Sequence, residues 1–193
     1  MIKTMRLFAP LCLSALLLAG VDSISSQPRP FAIDAAQTKV EFTLGATLHT
    51  VHGDFHLKGG TLSFDPQSGR VSGELVVDAT TGESGNPSRD KKMHAAILES
   101  AKYPEIAFRP DRVDGKVAPE GKSQVQLHGL FAIHGVEHEI LFPATVDAAA
   151  GQYMVDGTFE VPYVKWGMKN PSTLLLRVSD KVEITIHTVV HTR

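Results

Sequence analysis

The chain has 193 residues, with 19 Lys and Arg against 21 Asp and Glu, so its formal net charge is −2. This balance argues against a nucleic-acid-binding protein, which needs a basic face to neutralise phosphates. Hydrophobic residues make up 42% of the chain and charged residues 21%, which excludes a disordered tail and a membrane bundle. The single cysteine excludes an intramolecular disulfide and a cysteine-rich zinc site.

The N-terminal segment has the layout of a secretory signal peptide. Two basic residues precede an apolar stretch over residues 7–21, and small residues and serines follow it. The stretch is shorter than the roughly 20 apolar residues of a membrane-spanning helix, and Pro10 interrupts it. We therefore expect a cleaved signal peptide over residues 1–26 and a single exported domain over residues 27–193.

The rest of the chain alternates between apolar and polar residues with a period of two. The pair His134-Gly135 is typical of a two-residue hairpin turn, and an alternating run lies on each side of it. If Ile133 pairs with Val136, then Phe131 faces His138 and the apolar faces of the two strands coincide. This hairpin joins two predicted strands over residues 125–133 and 136–145.

The alternation recurs in six further segments, which brings the predicted total to about eight strands: residues 39–44, 62–64, 71–77, 106–108, 154–161 and 181–186. One polar and one apolar face per strand indicates an antiparallel sheet, and alternation alone leaves a sandwich and a closed barrel open.

One segment breaks the alternating pattern. Asn86-Pro87 is typical of a helix start, and Tyr103-Pro104 stops the helix that we expect to reach about Ser100.

Two groups of histidines resemble metal sites. The segment from His134 to His138 spells H-x-x-E-H, a zinc-peptidase motif that requires a helix. In the predicted turn and strand the two imidazoles lie roughly 13 Å apart, too far to share one zinc at about 2.0–2.1 Å. His49 and His52 have opposite strand parity, and with His56 they are interpreted as solvated positions. No metal site and no catalytic residue are predicted.

Several residues of the apolar face carry two interpretations. Gly73, Gly129 and Gly157 either leave room for a ligand or let the sheet bend and close. The phenylalanines on this face either fill a solid core or line a cavity. Arg89-Asp90 could orient a ligand headgroup or form a structural contact at the helix start, and the segment of Tyr163, Trp166 and Met168 could line a cavity mouth or a core corner.

From Phe31 to the C-terminus the chain resembles the YceI family of lipocalin-like, polyisoprenoid-binding proteins. The resemblance lies in ordered motifs: Phe31-Ala32-Ile33-Asp34, Val51-His52-Gly53-Asp54-Phe55, Leu62-Ser63-Phe64-Asp65-Pro66, Tyr103-Pro104-Glu105-Ile106-Ala107-Phe108 and Ile133-His134-Gly135-Val136. The chain departs from the family pattern at Ala46, where a His is frequent, at Phe131, where Thr is usual, and over residues 161–168, which replace a segment of the form N-R-x-x-F-G.

The resemblance implies an all-β, antiparallel, lipocalin-like barrel of about eight strands with one short inserted helix. It also implies a periplasmic protein without catalytic activity or cofactor, which holds a polyisoprenoid, an isoprenoid quinone or a fatty acyl lipid in its lumen. The expected ligand-binding residues share the apolar face or the predicted mouth: Phe42, Leu44, Leu62, Phe64, Leu75, Val77, Phe108, Leu127, Gly129, Phe131, Ile140, Phe142, Phe159 and Trp166.

Two other functions remain open at this point. The barrel could be an interaction or stress-response module with a structural lipid, either as a homodimer or as the partner of a membrane redox protein. It could also be a hydrolase with His or Asp at the barrel mouth. No nucleophile–base motif supports the hydrolase.

Overall fold

The protein is described by a computed structural model that covers residues 29–192. The predicted signal peptide, residues 1–26, lies outside the described residues. The described chain forms eight antiparallel strands, as the alternation predicted, and one short helix. The strands are β1 (Arg29–Gly45), β2 (Thr50–Phe64), β3 (Val71–Glu83), β4 (Glu105–Asp114), β5 (Gly121–Ile133), β6 (Val136–Ala149), β7 (Gln152–Val161) and β8 (Val182–Thr192).

The sheet closes into a barrel in which every strand pairs with its neighbours in sequence. The last strand, β8, returns to β1, so that Phe31 lies opposite Thr192 and Phe42 opposite Ile184. The pairing of β1 with β8 changes register between Asp34 and Lys39, and its pairing with β2 changes register between Ala32 and Val40. Such bulges bend a strand and allow closure. The sheet is therefore a closed barrel and not a sandwich, the two architectures that alternation left open.

The β5–β6 hairpin has the predicted register. Ile133 pairs with Val136 and Phe131 with His138. His134 and Gly135 have φ values of 53° and 77°, and positive φ at both central positions is the conformation that keeps hairpin strands twisted together. His134 thus lies in a turn and His138 in a strand, which is not the helix that a zinc-peptidase motif requires.

The strand connections fall at two different ends of the barrel. Residues 46–49, 84–104, 134–135 and 162–181 lie at one end, here called the open end. The turns at residues 65–70, 115–120 and 150–151 lie at the other, the closed end. Val113, Val125, Ala144 and Val146 pack together beside the closed end, with Phe64, Val71, Val117, Leu127, Tyr153 and Val155 against them. This cluster fills the barrel there.

The helix lies in the β3–β4 connection at the open end. Helix α1 (Pro87–Lys92) continues as a π-helical turn over Met93–Ile97. The side chain of Asn86 accepts hydrogen bonds from the backbone N–H groups of Ser88 and Arg89, which confirms Asn86 as the helix cap. Met93 and Ile97 pack against the main hydrophobic core, which includes Val40, Phe42, Val77, Phe131 and Val161. The helix therefore closes part of the open end. None of the described helices has the length and apolar character to cross a membrane.

Within residues 29–192, the β7–β8 connection, residues 162–181, is the longest segment without a helix or strand. The Met168 N–H donates to the Tyr163 carbonyl at 3.0 Å, and the Tyr163 hydroxyl donates to the Ser179 carbonyl at 2.6 Å. Tyr163 and Met168 are buried in the main core. The connection is therefore packed over the open end through Tyr163 and Met168.

Candidate ligand-binding cavity

A cavity of about 500 Å³ occupies the barrel interior beside the open end. All eight strands contribute apolar side chains to its wall, and the helix and the β7–β8 connection complete it. The strand residues that line it are Val40, Phe42, Leu44, Val51, Phe55, Leu75, Val77, Ile106, Ala107, Phe108, Phe131, Ile133, Phe142, Phe159, Val161, Val182, Ile184 and Ile186. The lining residues outside the strands all come from the open end, so the cavity opens there.

Eight of the residues expected to bind a ligand line this cavity. They come from six different strands: Phe42, Leu44, Leu75, Val77, Phe108, Phe131, Phe142 and Phe159. Several of their rings touch one another. The ring centroids of Phe142 and Phe159 are 4.7 Å apart, and those of Phe108 and Phe142 are 5.6 Å apart. These aromatic contacts form the floor on the side of the closed end.

The other six expected residues do not line the cavity. Phe64 and Leu127 belong to the packed cluster at the closed end. Leu62 lies near the same end, between Phe31 and Gly73 in the barrel wall. Ile140 and Trp166 pack against the main core, and Gly129 lies in β5 beside β4. The five strand positions share the inward face with the cavity residues and differ from them in height along the barrel or in their neighbours. Trp166 lies in the β7–β8 connection.

Neighbouring atoms occupy the space beside each of the three inward glycines. A Cβ atom at Gly129 would lie 2.4 Å from the Arg109 carbonyl oxygen and 2.9 Å from the Phe108 ring. A Cβ at Gly157 would lie 2.6 Å from the Phe142 ring, and one at Gly73 would lie 2.0 Å from the Thr61 carbonyl oxygen. Each glycine therefore permits close approach of strands or rings, as expected for a tightly curved sheet, and none leaves space for a ligand.

Polar side chains surround the cavity at the open end, and they are here called the rim. The rim consists of His49, Ser84, Asn86, Ser88, Arg89 and Lys92. Arg89 and Lys92 give it positive charge, and no Asp or Glu is among the described lining residues. The sequence singled out His49, Asn86 and Arg89. Ser84 lies in the loop before helix α1, and Ser88 and Lys92 lie in the helix, where no sequence pattern marked them.

The Arg89-Asp90 pair is organised around Ser84. Arg89 donates from Nε to the Ser84 hydroxyl at 2.7 Å and from a terminal nitrogen to the Ser84 carbonyl at 2.6 Å. The Asp90 carboxylate accepts from the Ser84 N–H at 3.1 Å and from the Ser84 hydroxyl. Both residues therefore fix the loop that precedes the helix. Arg89 also remains on the cavity lining, so the structural contact and a contact with a ligand headgroup are compatible.

Tyr163 is the only titratable residue among the described lining residues outside the rim. Its hydroxyl is satisfied by the Ser179 carbonyl, and its side chain is buried. Burial, together with the charge of Asp180, raises the pKa of Tyr163 to about 12. The interior of the cavity is therefore neutral at physiological pH and suits an uncharged chain.

The remaining histidines have separate environments. The His138 ring stacks on the Trp166 indole, and its Nε2 atom is buried without a hydrogen-bond partner. The His134 ring packs on Tyr103, with centroids 4.5 Å apart, and His52 Nδ1 lies 3.1 Å from the Thr43 hydroxyl. Within residues 29–192, no group of three or more His, Cys, Asp or Glu side chains has the arrangement of a metal site.

A closed eight-stranded up-and-down barrel with an apolar interior cavity defines the lipocalin-like class of small-ligand-binding barrels. Residues 31–190 match the family model of the YceI-like domain, and the chain belongs to this family. The resemblance found in the sequence motifs is thereby confirmed. No curated protein matches the chain in sequence.

Solved structures with this fold share little sequence with the chain. Burkholderia cenocepacia BcnA is 18% identical, with a TM-score of 0.69, and the alignment covers 81% of this chain and 98% of BcnA. A polyisoprenoid-binding domain from Saccharophagus degradans, implicated in plant cell wall breakdown, is 15% identical, with a TM-score of 0.65 and coverage of 84% and 98%. The Campylobacter jejuni YceI protein is 18% identical, with a TM-score of 0.60 and coverage of 76% and 88%.

Proposed function

We propose that this chain is an exported, non-catalytic carrier that holds one long apolar chain in its barrel. The ligand class is a polyisoprenoid, an isoprenoid quinone or a fatty acyl lipid. The observation that carries the proposal is the cavity of about 500 Å³, with an apolar wall from all eight strands and a polar rim at one end. Binding comes from removing apolar ligand surface from water, at roughly 25 cal/mol per Å².

The arrangement of polar groups supports an amphipathic ligand that enters tail first. An apolar cavity is poorly hydrated and accepts apolar ligands without displacing bound water. A charged group in the same space would lack a partner and would cost free energy. The headgroup therefore remains at the rim, where Arg89, Lys92 and His49 can contact it.

Family and cavity chemistry support binding over catalysis. The chain belongs to the YceI-like family, and one structural neighbour is a polyisoprenoid-binding domain. The titratable residues of the described lining are His49, Arg89, Lys92 and Tyr163, and the Tyr163 hydroxyl is engaged with the Ser179 carbonyl. The homodimer and the membrane redox partner gain no support from the described residues or from the comparisons.

The test is to recover the ligand from the protein. Organic extraction of protein purified without detergent, followed by mass spectrometry, is expected to release one apolar lipid per chain. Ile184→Trp fills the cavity from β8, and it should abolish lipid recovery with little loss of stability because the side chain enters empty space. Thr185→Trp adds the same bulk on the outer face of β8, where its hydroxyl lies beside that of Thr158, and should retain the lipid.

Two results would contradict the carrier function. One is wild-type protein that contains no lipid and takes none up from detergent-solubilised polyisoprenol. The other is a folded Ile184→Trp variant with the same lipid content as wild type.

Export is the second part of the proposal, and the predicted signal peptide of residues 1–26 supports it. Cell fractionation followed by N-terminal sequencing should find a mature chain that begins between Gly20 and Gln27. Recovery of protein with an intact Met1 from the membrane fraction would contradict export with cleavage.

A further inference from the structure

Three leucines project into solvent around the opening of the cavity. Leu48 in the β1–β2 connection is 80% exposed, and Leu174 and Leu175 in the β7–β8 connection are 99% and 89% exposed. They are the most exposed large hydrophobic side chains of the described residues. Exposed apolar side chains grouped at one place mark an interaction site more often than isolated ones do. We call these three residues the leucine patch.

The two connections that carry the leucine patch are bonded to each other. The Thr47 N–H donates to the Arg177 carbonyl at 2.9 Å, and the Arg177 N–H donates to the Thr47 hydroxyl at 3.1 Å. Next to this pair, Ala46 and Val178 form a β-bridge. The three leucines therefore belong to one surface with a fixed backbone.

This surface is continuous with the cavity. Ala46 and His49, on either side of Thr47 and Leu48, line the cavity, and so do Leu176 and Val178, which follow Leu174 and Leu175. The Thr173 N–H donates to the Leu176 carbonyl at 2.8 Å, and this turn directs Leu174 and Leu175 outward while Leu176 faces the cavity. A ligand that enters or leaves at this end passes beside the leucine patch.

The charges around the leucine patch are mostly positive, although the whole chain has a net charge of −2. Lys169 and Arg177 lie in the β7–β8 connection, and Arg89 and Lys92 lie on the rim. The Lys92 ammonium donates to the Pro171 carbonyl at 3.2 Å, so helix α1 and this connection are in contact. Residues 46–49 contain no Asp or Glu, Asp180 is the one acidic residue of the β7–β8 connection, and the carboxylate of Asp90 is bonded to Ser84.

We propose that the open end docks on the surface of a bilayer that contains anionic lipids. The leucine patch inserts into the boundary between headgroups and acyl chains, and the cations contact lipid phosphates, a pattern typical of proteins that bind the membrane interface. A fluid bilayer accepts three separate projecting side chains, whereas a protein partner would require a pocket for each. If the carrier function proposed above holds, docking lets the lipid move between bilayer and cavity without crossing water.

Co-sedimentation with lipid vesicles tests the docking. The protein is used as recovered after export, with its N-terminus verified, and mixed with vesicles of phosphatidylcholine alone or of phosphatidylcholine and phosphatidylglycerol. Wild type is expected to sediment with the anionic vesicles, and less so at high salt. The triple variant Leu48→Ser, Leu174→Ser and Leu175→Ser should bind the anionic vesicles at least tenfold more weakly. The double variant Lys169→Glu and Arg177→Glu should weaken binding to the anionic vesicles by the same factor and leave the result with phosphatidylcholine vesicles unchanged.

Leu141→Ser is the matched control, since Leu141 is 58% exposed on the barrel wall and lies opposite His128. It should sediment like wild type. Wild type that fails to bind anionic vesicles, or a triple variant that binds as well as wild type, would overturn the inference. So would a wild-type dimer in sedimentation velocity that the triple variant abolishes, because the leucines would then belong to an interface between copies.

Lipid content separates this inference from the carrier function. If the protein retains its lipid and binds neither kind of vesicle, docking is refuted and the carrier function is not. If the protein binds anionic vesicles but never contains or accepts a lipid, the carrier function is refuted and docking is not.

Discussion

The Trp166 indole lies flat on the His138 imidazole, with ring centroids 3.8 Å apart and planes 3° from parallel. This contact fixes the start of the β7–β8 connection against β6 at the open end. Because burial lowers the pKa of His138 below 6.5, the imidazole is neutral at neutral pH. It stacks on the indole as an uncharged ring.

The stacking gives a fluorescence signal for His138. Trp166 is the single tryptophan of the chain, and a protonated imidazole in contact quenches indole emission. We expect emission to fall on acidification with a midpoint below pH 6.5, the ordinary pKa of histidine. His138→Gln should remove the transition, and His134→Gln, in the adjacent turn, should keep it. A midpoint at or above pH 6.5 would show that burial does not dominate at His138.

Gly129 tests the close packing of β5 on β4. Even Gly129→Ala places a Cβ 2.4 Å from the Arg109 carbonyl oxygen and 2.7 Å from Pro110 Cα, where the backbone must move. We expect a loss of about 1–3 kcal/mol in the free energy of unfolding, measured by urea denaturation. Gly45→Ala, whose nearest neighbour is Ser179 Cβ at 4.0 Å, should change it by less than about 0.5 kcal/mol. Equal stability of the two variants would refute the packing argument.

His128 couples stability to pH on the outer face of the barrel. Its Nδ1 lies 2.6 Å from Asp111 and its Nε2 lies 2.7 Å from Glu139. The carboxylate of Asp111, and next that of Glu139, raises the pKa of His128. A pKa raised by folding stabilises the protein fully below the unfolded value of 6.5, and this contribution is lost as the pH rises through the folded pKa.

His128→Gln should therefore destabilise the protein most at mildly acidic pH. Urea denaturation from about pH 5.5 to about pH 8.5 is expected to show a difference from wild type that shrinks as the pH rises. Asp111→Asn removes the largest cause and should move the loss of stability to lower pH. A difference that stays constant across the range would contradict the assignment.

Asn86 tests the start of helix α1. Its side-chain oxygen accepts from the N–H groups of Ser88 and Arg89, each at 3.1 Å. Asn86→Ala leaves both donors without this partner and should cost about 1 kcal/mol of stability. Asn86→Asp keeps an acceptor oxygen and should remain near wild type in a thermal melt. An alanine variant as stable as wild type would show that water replaces the cap.

The strands and the β5–β6 hairpin could be predicted because their signals are local. Alternation identifies each inward face, and the pair His134-Gly135 sets the register of Phe131 opposite His138. The full lengths of β1 and β2 were not predicted. Irregular register between Ala32 and Val40, and between Leu57 and Gly59, interrupts the alternation there.

The cavity was predictable only in part. Alternation shows which side of the sheet a side chain faces, but it does not show how far along the barrel axis that side chain lies. Phe64 and Phe108 both belong to the apolar face, yet Phe64 packs into the cluster at the closed end and Phe108 lines the cavity. Val182, Ile184 and Ile186 were identifiable from their alternation. The sequence left Tyr163, Trp166 and Met168 between a cavity mouth and a core corner. Tyr163 and Met168 line the cavity and Trp166 does not, because the path of this connection depends on hydrogen bonds between residues distant in sequence.

The pairing of Phe31 with Thr192 brings both ends of the described chain to the end of the barrel that faces away from the cavity opening. A linker, affinity tag or surface coupling at either terminus therefore leaves the opening unobstructed and pointing outward. For the same reason the two termini can be joined and the chain reopened in the turn at residues 115–120. Such a circular permutant would be reopened at the closed end, and the connections that form the rim and the leucine patch at the open end would stay intact.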